Sequence, residues 1–179
     1  IEDLLERPEI LIDTDSIARQ ISGKTILVTG AAGSIGSELV RQLCHFKPKQ
    51  IILLDKAATP LHLIRLEIES THPDIAILPV MADVRNRERC EHIIAEHHPD
   101  IIFHAAAYKH VPLVEENPCE GIITNIGGSI NIAELALKHH VGQFVMISTD
   151  KAVNPTNVMG ATKRAAEMYI QALNAKLHP

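Results

Sequence analysis

Short apolar runs alternate with segments of helical periodicity along most of this chain. Five runs rich in Val, Ile and Leu predict buried strands, at Thr25–Thr29, Gln50–Leu54, Ile75–Val80, Ile101–Ala105 and Gln143–Ile147. Apolar residues at helical spacing predict helices over Ser34–Phe46, from Thr59-Pro60 onward, and over Asn86–His97, Pro118–Lys138 and Asn157–Lys176. In the first three of these helices the apolar residues predicted to face inward are Ile35, Leu39, Leu43 and Phe46, then Leu61, Ile64 and Ile68, then Cys90, Ile93 and Ile94. Alternating strands and helices favour right-handed crossovers, so we expect an α/β, doubly wound parallel sheet of the Rossmann type with strand order 3-2-1-4-5.

The two ends of the chain carry less regular patterns. Residues 1–23 are predicted to be a lead-in segment from an upstream region, with a short helix capped by one of the polar residues 13–15. Residues 24–179 are predicted to be the dinucleotide-binding domain. Because the chain stops at Pro179, directly after its last predicted helix, we expect this domain to be truncated before a C-terminal substrate subdomain.

The clearest chemical signal is the turn between the first strand and its helix, which reads T-G-A-A-G-S-I-G. Gly30 permits the tight turn, Gly33 lets the backbone approach a pyrophosphate, and Gly36 lets the helix pack close to the strand. The N–H groups of the first helical turn, which starts with Ser34 and Ile35, face the anion. The strand, the glycine turn and the helix together predict a dinucleotide cofactor.

Polar residues after the second and third predicted strands extend the expected cofactor site. Asp55 ends the second strand, where its carboxylate accepts hydrogen bonds from ribose hydroxyls and repels a 2′-phosphate. NAD is therefore favoured over NADP, although Lys56 beside it weakens the preference. Asp83 and Val84 follow the third strand and are candidates for holding the adenine edge. The alternatives are a strand-end turn for Asp55 and a helix-capping aspartate for Asp83.

Small and polar residues around the fourth strand are candidates for the centre of the site. Ala105 and Ala106 leave room for a flat cofactor, or else reflect tight packing of a helix on the sheet. Lys109 lies in the loop above the sheet and is a candidate for binding a substrate. Asn125 is a further candidate for binding the substrate. It is a poor helix former inside a predicted helix, so it either bonds backbone or water near the site or is a tolerated surface residue.

The most informative polar run, S-T-D-K, follows the fifth predicted strand. Thr149, Asp150 and Lys151 stand where side chains face the nicotinamide end of a cofactor. Met159 and Lys163 follow on one helix face, where Met159 is a substrate-binding candidate and Lys163 can bridge the nicotinamide ribose hydroxyls. Taken separately, the polar run is a solvated turn and Lys163 a solvated lysine. Their occurrence together with the glycine turn favours a functional site.

Composition narrows the class of protein. The chain has 179 residues, of which 46% are hydrophobic and 22% charged, as expected for one globular domain with a sizeable core. A formal net charge of -5 and the lack of a basic run disfavour a nucleic-acid partner. The three cysteines fit neither a disulfide framework nor a zinc site, so we expect reduced thiols, a cytoplasmic setting and no metal. No apolar run is long enough to span a membrane.

Several motifs in combination are specific to one group of proteins. They are G-A-A-G-S-I-G, H-A-A-A-Y-K-H-V-P, T-N-I-G-G-S and S-T-D-K-A-V-N-P-T-N-V-M-G-A-T-K-R. With them the chain resembles the extended short-chain dehydrogenase/reductases, and among these the CapD-like polysaccharide biosynthesis proteins, which are nucleotide-sugar 4,6-dehydratases. Met159 stands where the larger superfamily has the tyrosine of Tyr-x-x-x-Lys. Methionine is the pattern of the long, membrane-anchored branch of this group, which the segment R-P-E-I-L-I-D at residues 7–13 also resembles.

The resemblance implies an NAD-dependent lyase that acts on a UDP-N-acetylhexosamine, with UDP-GlcNAc as the expected substrate, for surface polysaccharide or capsule biosynthesis. Hydride passes from C4 to NAD, water leaves across C5 and C6, and hydride returns to C6 to give a UDP-4-keto-6-deoxy sugar. The resemblance assigns Asp150 as the acid for the C6 hydroxyl, Lys151 as the base at C5 and Thr149 as the ligand of the 4-oxygen. These roles agree if Asp150 is protonated.

The resemblance also has implications for the whole protein. It implies a homodimer and a full-length protein anchored at the cytoplasmic face of the bacterial inner membrane, with this segment making no membrane contact and being inactive alone. Two other functions stay open. One is a nucleotide-sugar 4-epimerase, which would need the tyrosine that Met159 replaces. The other is a non-catalytic NAD-binding sensor or scaffold.

Overall fold

The computed structural model describes residues 13–177, which contain a five-stranded parallel sheet. Its strands are β1 (Thr25–Thr29), β2 (Gln50–Asp55), β3 (Ala76–Met81), β4 (Ile101–His104) and β5 (Gln143–Met146). The strand order is β3-β2-β1-β4-β5 and every neighbouring pair is parallel, which confirms the predicted fold. Residues 1–12 of the predicted lead-in lie outside the described residues, and its boundary at residue 23 stays a prediction.

Helices connect the strands on both faces of the sheet. They are α1 (Thr14–Ile21), α2 (Ser34–Cys44), α3 (Ala58–Thr71), α4 (Arg87–His97), α5 (Val111–Glu116), α6 (Pro118–Gly121), α7 (Ser129–Lys138) and α8 (Val158–Leu177), with a 3₁₀ turn over Asp150–Ala152. The cap of α1 comes from Asp13, whose side chain accepts a hydrogen bond from the backbone of Ser16 at 3.0 Å. Of the three candidate caps, Asp13 is therefore the one observed, and the short helix predicted from the sequence begins directly after it.

Neighbouring residues of each central strand point to opposite faces and build two cores. Ile26 and Val28 of β1 pack with α2 and α3, whereas Leu27 packs with α4 and α7. Each fully buried side chain of this kind contributes about 1.5–3 kcal/mol of hydrophobic stabilisation. The inward helix positions predicted from the periodicity are buried, namely Leu61, Ile64, Ile68, Cys90, Ile93 and Ile94.

The predicted helix over Pro118–Lys138 is not a uniform α-helix. A π-helical segment, Ile122–Gly128, connects α6 to α7, and its flanking residues keep helical backbone angles. At the end of this segment Gly128 packs so closely on Val84 that a Cβ on Gly128 would lie 2.6 Å from Cγ2 of Val84. Such π segments are frequently found at functional sites. The short helix α5 was not predicted either.

The apolar stripe predicted for α2 is wrong at its first residue. Ile35 is 57% exposed, whereas Leu43 of the same helix is buried. Ile35 lies in the first turn of α2, directly after the glycine turn, and it is not part of the core that the later turns of this helix join. Within residues 13–177, no helix combines the length and the apolar character needed to cross a membrane.

Candidate functional site

A cleft of about 230 Å³ lies over the carboxyl ends of β1, β2, β3 and β4, the edge at which doubly wound sheets bind ligands. Its walls are formed by Gly30, Ala32, Gly33, Leu54, Asp55, Lys56, Ala57, Ala82, Asp83, Val84, Ala105, Ala106, Ala107, Tyr108 and Thr124. The cleft therefore brings together the residues predicted for cofactor binding, except Ser34, Ile35, Gly36 and Lys163.

The glycine turn forms one wall of this cleft through contacts that exclude side chains. Gly30 has a positive φ of 68°, and a Cβ on it would lie 2.6 Å from the backbone nitrogen of Ala106. A Cβ on Gly36 would lie 2.0 Å from the carbonyl oxygen of Gly30. No side chain of the described residues caps α2, so the N–H groups of its first turn are open to an anion.

The carboxylate of Asp55 is fixed by two backbone donors. Its Oδ2 accepts a hydrogen bond from the N–H of Ala32 at 3.0 Å, and its Oδ1 accepts one from the N–H of Ala57 at 2.9 Å. The strand-end turn is thus real, yet each oxygen keeps a second lone pair that can accept a hydroxyl. Binding of a ribose by Asp55 stays a prediction, with the acceptor held in place for it.

Lys56 extends across the mouth of the cleft. Its Nζ donates to the hydroxyl of Tyr108 at 2.5 Å, lies 4.4 Å from the centre of the Tyr108 ring and is 3.8 Å from Oδ2 of Asp83. It therefore joins the loops that follow β2, β3 and β4 on the adenosine side predicted for the cofactor.

Asp83 does not cap the next helix. That cap is Asn86, whose side chain accepts from the backbone of Arg89 at 3.0 Å, so the capping alternative for Asp83 is wrong. The Asp83 carboxylate instead accepts hydrogen bonds from Arg85, at 3.0 Å from its backbone and 2.7 Å from Nη2. Partial burial favours the neutral acid, but the hydrogen bonds from Arg85 and the charge of Lys56 outweigh it and lower the pKa of Asp83.

Thr124 is a residue of the cleft that sequence reasoning missed. It lies in the π segment, is 4% exposed, and its hydroxyl has no hydrogen-bond partner among the described residues. An unsatisfied buried hydroxyl costs about 1–3 kcal/mol, so a polar ligand atom in the cleft would relieve that cost. No sequence signal marks this residue, because threonine is common on buried helix faces.

A buried chain of hydrogen bonds runs beneath the cleft. Nδ1 of His104 lies 2.7 Å from Oγ1 of Thr29, and its Nε2 lies 3.0 Å from Oγ of Ser129. Ser129 donates its single hydroxyl proton to the carbonyl of Asn125 at 2.6 Å, so it must accept from Nε2–H of His104. The imidazole is therefore the neutral Nε2–H tautomer, with Thr29 donating to Nδ1.

Asn125 is part of the same buried network. It is 0% exposed; its Oδ1 accepts from the N–H of Tyr108 at 2.8 Å, and its Nδ2 donates to the carbonyl of Tyr108 and to Thr162. Of the two alternatives, backbone bonding near the site is the one observed, and a surface asparagine is wrong. Both amide protons are used inside the protein, so Asn125 positions the loop that carries Tyr108 and Lys109.

The buried, neutral His104 predicts that this residue accounts for part of the loss of folding stability in acid. Burial, together with the positive charge of Lys163, lowers the pKa of His104 to about 3 in the folded protein, against about 6.5 when unfolded. Below pH 6.5 the imidazole of His104 binds a proton in the unfolded chain but not in the folded protein. The free energy of unfolding should therefore fall by up to about 1.4 kcal/mol per pH unit from this group as pH drops from about 6.5 towards 4.

Urea unfolding of the wild type and of His104→Gln between pH 4 and 8 would measure this component. The variant lacks the titrating ring, so its free energy of unfolding should be lower at pH 8 and should decline less steeply with acid. Parallel pH curves for the two proteins would exclude the buried neutral imidazole.

The S-T-D-K run lies at the end of β5, beside β4. Oγ1 of Thr149 donates to Oδ1 of Asp150 at 2.9 Å, and Nζ of Lys151 lies 3.3 Å from the same oxygen. The structure thus brings the three predicted catalytic side chains together.

The condition under which the two assigned roles agree, a protonated Asp150, is not met in this arrangement. The carboxyl is fully exposed, and hydrogen bonds from Thr149 and Lys151, with the charge of Lys151, lower its pKa. Asp150 is therefore ionised at neutral pH, because nothing among the described residues buries it.

Lys163 and Met159 lie inside the protein, 6% and 4% exposed. Nζ of Lys163 donates to the carbonyl of Ile147 at 2.6 Å, which leaves two N–H groups for a ligand. Burial lowers the pKa of Lys163, and the charge of Glu167 opposes that shift. The alternative of a solvated helix lysine is wrong.

Two further residues shape the site around these groups. A Cβ on Gly160 would lie 2.2 Å from the carbonyl oxygen of Lys151, so this glycine sets the approach of α8 to the catalytic candidates. Sequence reasoning missed it, because a glycine inside a helix signals close packing without naming the partner. Lys109 is exposed, and its Nζ lies 3.2 Å from Oγ of Ser34, next to the first turn of α2.

Comparison with known proteins agrees with this geometry. The capsular polysaccharide biosynthesis protein CapD of Staphylococcus aureus is 53% identical over 175 residues, which are 97% of this chain and 29% of that protein. A UDP-N-acetylglucosamine 4,6-dehydratase (inverting) of Campylobacter jejuni is 38% identical over 154 residues, which are 86% of this chain and 44% of that protein. The chain thus spans less than half the length of either relative.

The fold is shared with a UDP-glucose 4-epimerase of Stenotrophomonas maltophila, solved with bound NAD and formylated UDP-arabinopyranose. The TM-score is 0.77 at 25% identity, and the match covers 86% of this chain and 49% of that chain. A family described as polysaccharide biosynthesis protein matches residues 26–178. The resemblance to CapD-like proteins is therefore confirmed, and the chain is related to nucleotide-sugar dehydratases and epimerases. This chain belongs to the polysaccharide biosynthesis protein family.

Proposed function

We propose that this chain is the cofactor-binding part of an NAD-dependent 4,6-dehydratase that acts on a UDP-N-acetylhexosamine, with UDP-GlcNAc as its substrate. The observation that carries the proposal is the cluster in which Oγ1 of Thr149 and Nζ of Lys151 both lie within 3.3 Å of Oδ1 of Asp150, at the sheet edge that also carries the glycine cleft. An acid and a base side by side suit the removal of a proton and a hydroxyl from adjacent carbons.

NAD fits the residues of the cleft. The glycine turn lines the cleft with backbone, because a Cβ on Gly30 or Gly36 would clash with neighbouring backbone atoms; the first turn of α2 offers N–H groups to the diphosphate, and Lys109 adds positive charge there. The fixed carboxylate of Asp55 favours free ribose hydroxyls over a 2′-phosphate, so we propose NAD rather than NADP. The unsatisfied hydroxyl of Thr124 offers a hydrogen bond to the cofactor. Bound NAD would take hydride from the sugar C4 and give it back at C6.

The remaining chemistry is assigned to side chains at the end of β5. Lys163 would hold the nicotinamide ribose with the N–H groups that Ile147 leaves free. Thr149 would hydrogen-bond the sugar 4-oxygen and so fix C5 and C6 beside the next two residues. As C4 loses hydride, Thr149 would pass the proton of the 4-hydroxyl to solvent. Lys151 would then remove the C5 proton, and Asp150 would protonate the departing C6 hydroxyl, which leaves as water. Lys151 would return its proton to C5 when C6 receives hydride.

The ionised Asp150 is compatible with these roles once a substrate covers the site. Desolvation disfavours both the carboxylate and the ammonium, so transfer of the Lys151 proton to Asp150 lowers the cost of burial. The resulting neutral pair consists of an amine that can act as a base and a carboxylic acid that can act as an acid. Ketone formation at C4 makes the C5 proton acidic enough for such a base.

A 4-epimerase is the second candidate, because the chain shares its fold with an epimerase structure. Met159 counts against it, since a thioether transfers no proton and occupies the position of the superfamily tyrosine. The paired acid and base of Asp150 and Lys151 would also have no task in epimerisation. A binding protein without catalysis would have no use for that pair either.

For the full-length protein we propose a homodimer anchored at the cytoplasmic face of the bacterial inner membrane, in capsule or related surface polysaccharide biosynthesis. The support is the similarity to CapD and the likeness of the segment at residues 7–13 to the membrane-anchored branch. The chain of residues 1–179 would make no membrane contact itself. It would bind the UDP-sugar only together with the substrate-binding part of the full-length protein.

The test is to incubate the full-length protein with UDP-GlcNAc and a catalytic amount of NAD and to weigh the product by mass spectrometry. A product lighter by one water, without net NADH, is the expected result. An unchanged mass with conversion to the C4 epimer, seen by NMR, would establish the epimerase instead. Cofactor binding with an unchanged substrate would establish the sensor or scaffold.

A further inference from the structure

One face of α8 contacts both ends of the polar run that follows β5. Gly160, Lys163 and Glu167 occupy successive turns of this face. Lys163 donates to the carbonyl of Ile147, directly before the run, Glu167 accepts from its first side chain, Ser148, and Gly160 abuts the carbonyl of its last residue, Lys151. A single helix therefore holds the run at its start and at its end.

Glu167 makes the contact that neither the sequence nor the proposed mechanism explains. Its Oε1 accepts a hydrogen bond from Oγ of Ser148 at 2.5 Å, and its Oε2 accepts one from Nη1 of Arg164 at 3.0 Å. The side chain is only 21% exposed. The hydrogen bond from Ser148, aided by Arg164, lowers the pKa of Glu167, so it is an anion at neutral pH.

The same carboxylate lies one helical turn from the buried Lys163, on the same face of α8. The other elements packed against α8 also carry charged groups, which have partners elsewhere: Glu115 of α5 accepts from the N–H of Val158, Glu134 of α7 binds Arg87 and Tyr169, and Asp150 pairs with Lys151 on the 3₁₀ turn. On β4, His104 is neutral. Glu167 is the anion whose charge opposes the lowering of the Lys163 pKa by burial.

We propose that Glu167 is a positioning residue of the dehydratase: it fixes the polar run through Ser148 and keeps Lys163 charged for the nicotinamide ribose. The inference rests on the proposed function for its effect on turnover. Its effect on cofactor binding does not depend on which sugar reaction follows. Because Ser148 immediately precedes Thr149, release of Ser148 would let the reacting groups drift relative to the cofactor, and small displacements are costly to turnover.

Three variants of the full-length protein separate the two tasks. Glu167→Gln keeps an oxygen for Ser148 but removes the charge, Ser148→Ala removes the hydrogen bond but keeps the charge, and Glu167→Ala removes both. Gln171→Ala, an exposed position on the same helix, is the matched control. For each protein, the NAD dissociation constant is measured by calorimetry between pH 7 and 10, and kcat and KM with UDP-GlcNAc at pH 7.5.

We expect Glu167→Gln to bind NAD like the wild type at pH 7 but to lose affinity at a lower alkaline pH than the wild type does. The sign follows from the pKa of Lys163: removing the opposing carboxylate lowers it further, so the ammonium is lost at lower pH. Ser148→Ala should keep the wild-type pH profile of NAD binding and lose about tenfold in kcat, with little change in KM. Glu167→Ala should show both defects.

Superimposable pH profiles of NAD binding for Glu167→Gln and the wild type would overturn the inference, as would an unchanged kcat in Ser148→Ala and Glu167→Ala. A merely structural Glu167 would lower the melting temperature without shifting the pH profile, and that result would overturn it too. A wild type that binds NAD with the expected pH profile but leaves UDP-GlcNAc unchanged would refute the proposed dehydratase alone. Failure of the wild type to bind NAD would refute both.

Discussion

Gly36→Ala is expected to abolish measurable NAD binding and to lower the free energy of unfolding by about 1–3 kcal/mol. The added Cβ would lie 2.0 Å from the carbonyl oxygen of Gly30, 2.8 Å from its carbonyl carbon and 3.0 Å from Cα of Ala31. All three are backbone atoms, so no rotamer change relieves the clash, and α2 must move away from the turn. That movement would take the first-turn N–H groups out of reach of a diphosphate. Calorimetric titration with NAD and urea unfolding measure the two effects.

Gly127→Ala is the matched control for this variant. A Cβ on Gly127 meets no atom within 4 Å, and alanine is favoured over glycine in helices by about 1 kcal/mol. The control should therefore bind NAD like the wild type and unfold at equal or higher urea. Retention of NAD affinity within about threefold in Gly36→Ala would show that the close contact between α2 and the turn is not needed for the cofactor.

The fold was predictable because its signals are local. Thr25–Thr29 is a β-branched apolar run followed by glycine, and the structure places β1 at the same five residues. The strand order followed from the alternation of strands and helices, since right-handed crossovers leave few topologies. The polar residues Asp55 and Asp83 could be assigned to the cleft for the same reason, because the carboxyl ends of parallel strands meet at one edge of the sheet.

Features that depend on contacts between distant segments were not predictable. The π segment Ile122–Gly128 brings Thr124 to the cleft and Asn125 to the loop of Tyr108, and no periodicity in the sequence announces an extra residue in that turn. The need for glycine at position 160 follows only from the carbonyl of Lys151, which the fold brings into contact with it.

The charge state of a candidate acid is the other property that sequence could not fix. The roles assigned to Asp150 and Lys151 agree only if Asp150 is protonated, whereas the pKa of Asp150 depends on its exposure and on its hydrogen bonds with Thr149 and Lys151. A motif specifies which groups are neighbours, and solvent decides which of them carry charge. Asp150 can therefore gain its proton only when a substrate covers the site and excludes solvent. Substrate binding is thus part of what sets the charge of Asp150.

Lys151→Ala is expected to lower kcat for dehydration by about 10³-fold while changing the NAD dissociation constant by less than about twofold. Lys151 is the proposed base at C5, its side chain is half exposed, and it does not line the cofactor cleft. Its removal should therefore spare cofactor binding. Formation of the dehydrated product is followed by mass spectrometry, and exchange of the C5 hydrogen by incorporation of deuterium from the solvent.

Lys151→Arg distinguishes a base from a simple positive charge. A guanidinium keeps the charge beside Asp150 but does not give up its proton in proteins, so it cannot serve as the amine base. The arginine variant should be as slow as the alanine variant and should fail to exchange the C5 hydrogen. Lys49→Ala, an exposed lysine before β2 at the opposite edge of the sheet, is the control and should retain full turnover. More than about a tenth of wild-type turnover in Lys151→Arg would assign the proton removal to another group and leave Lys151 as an electrostatic partner of Asp150.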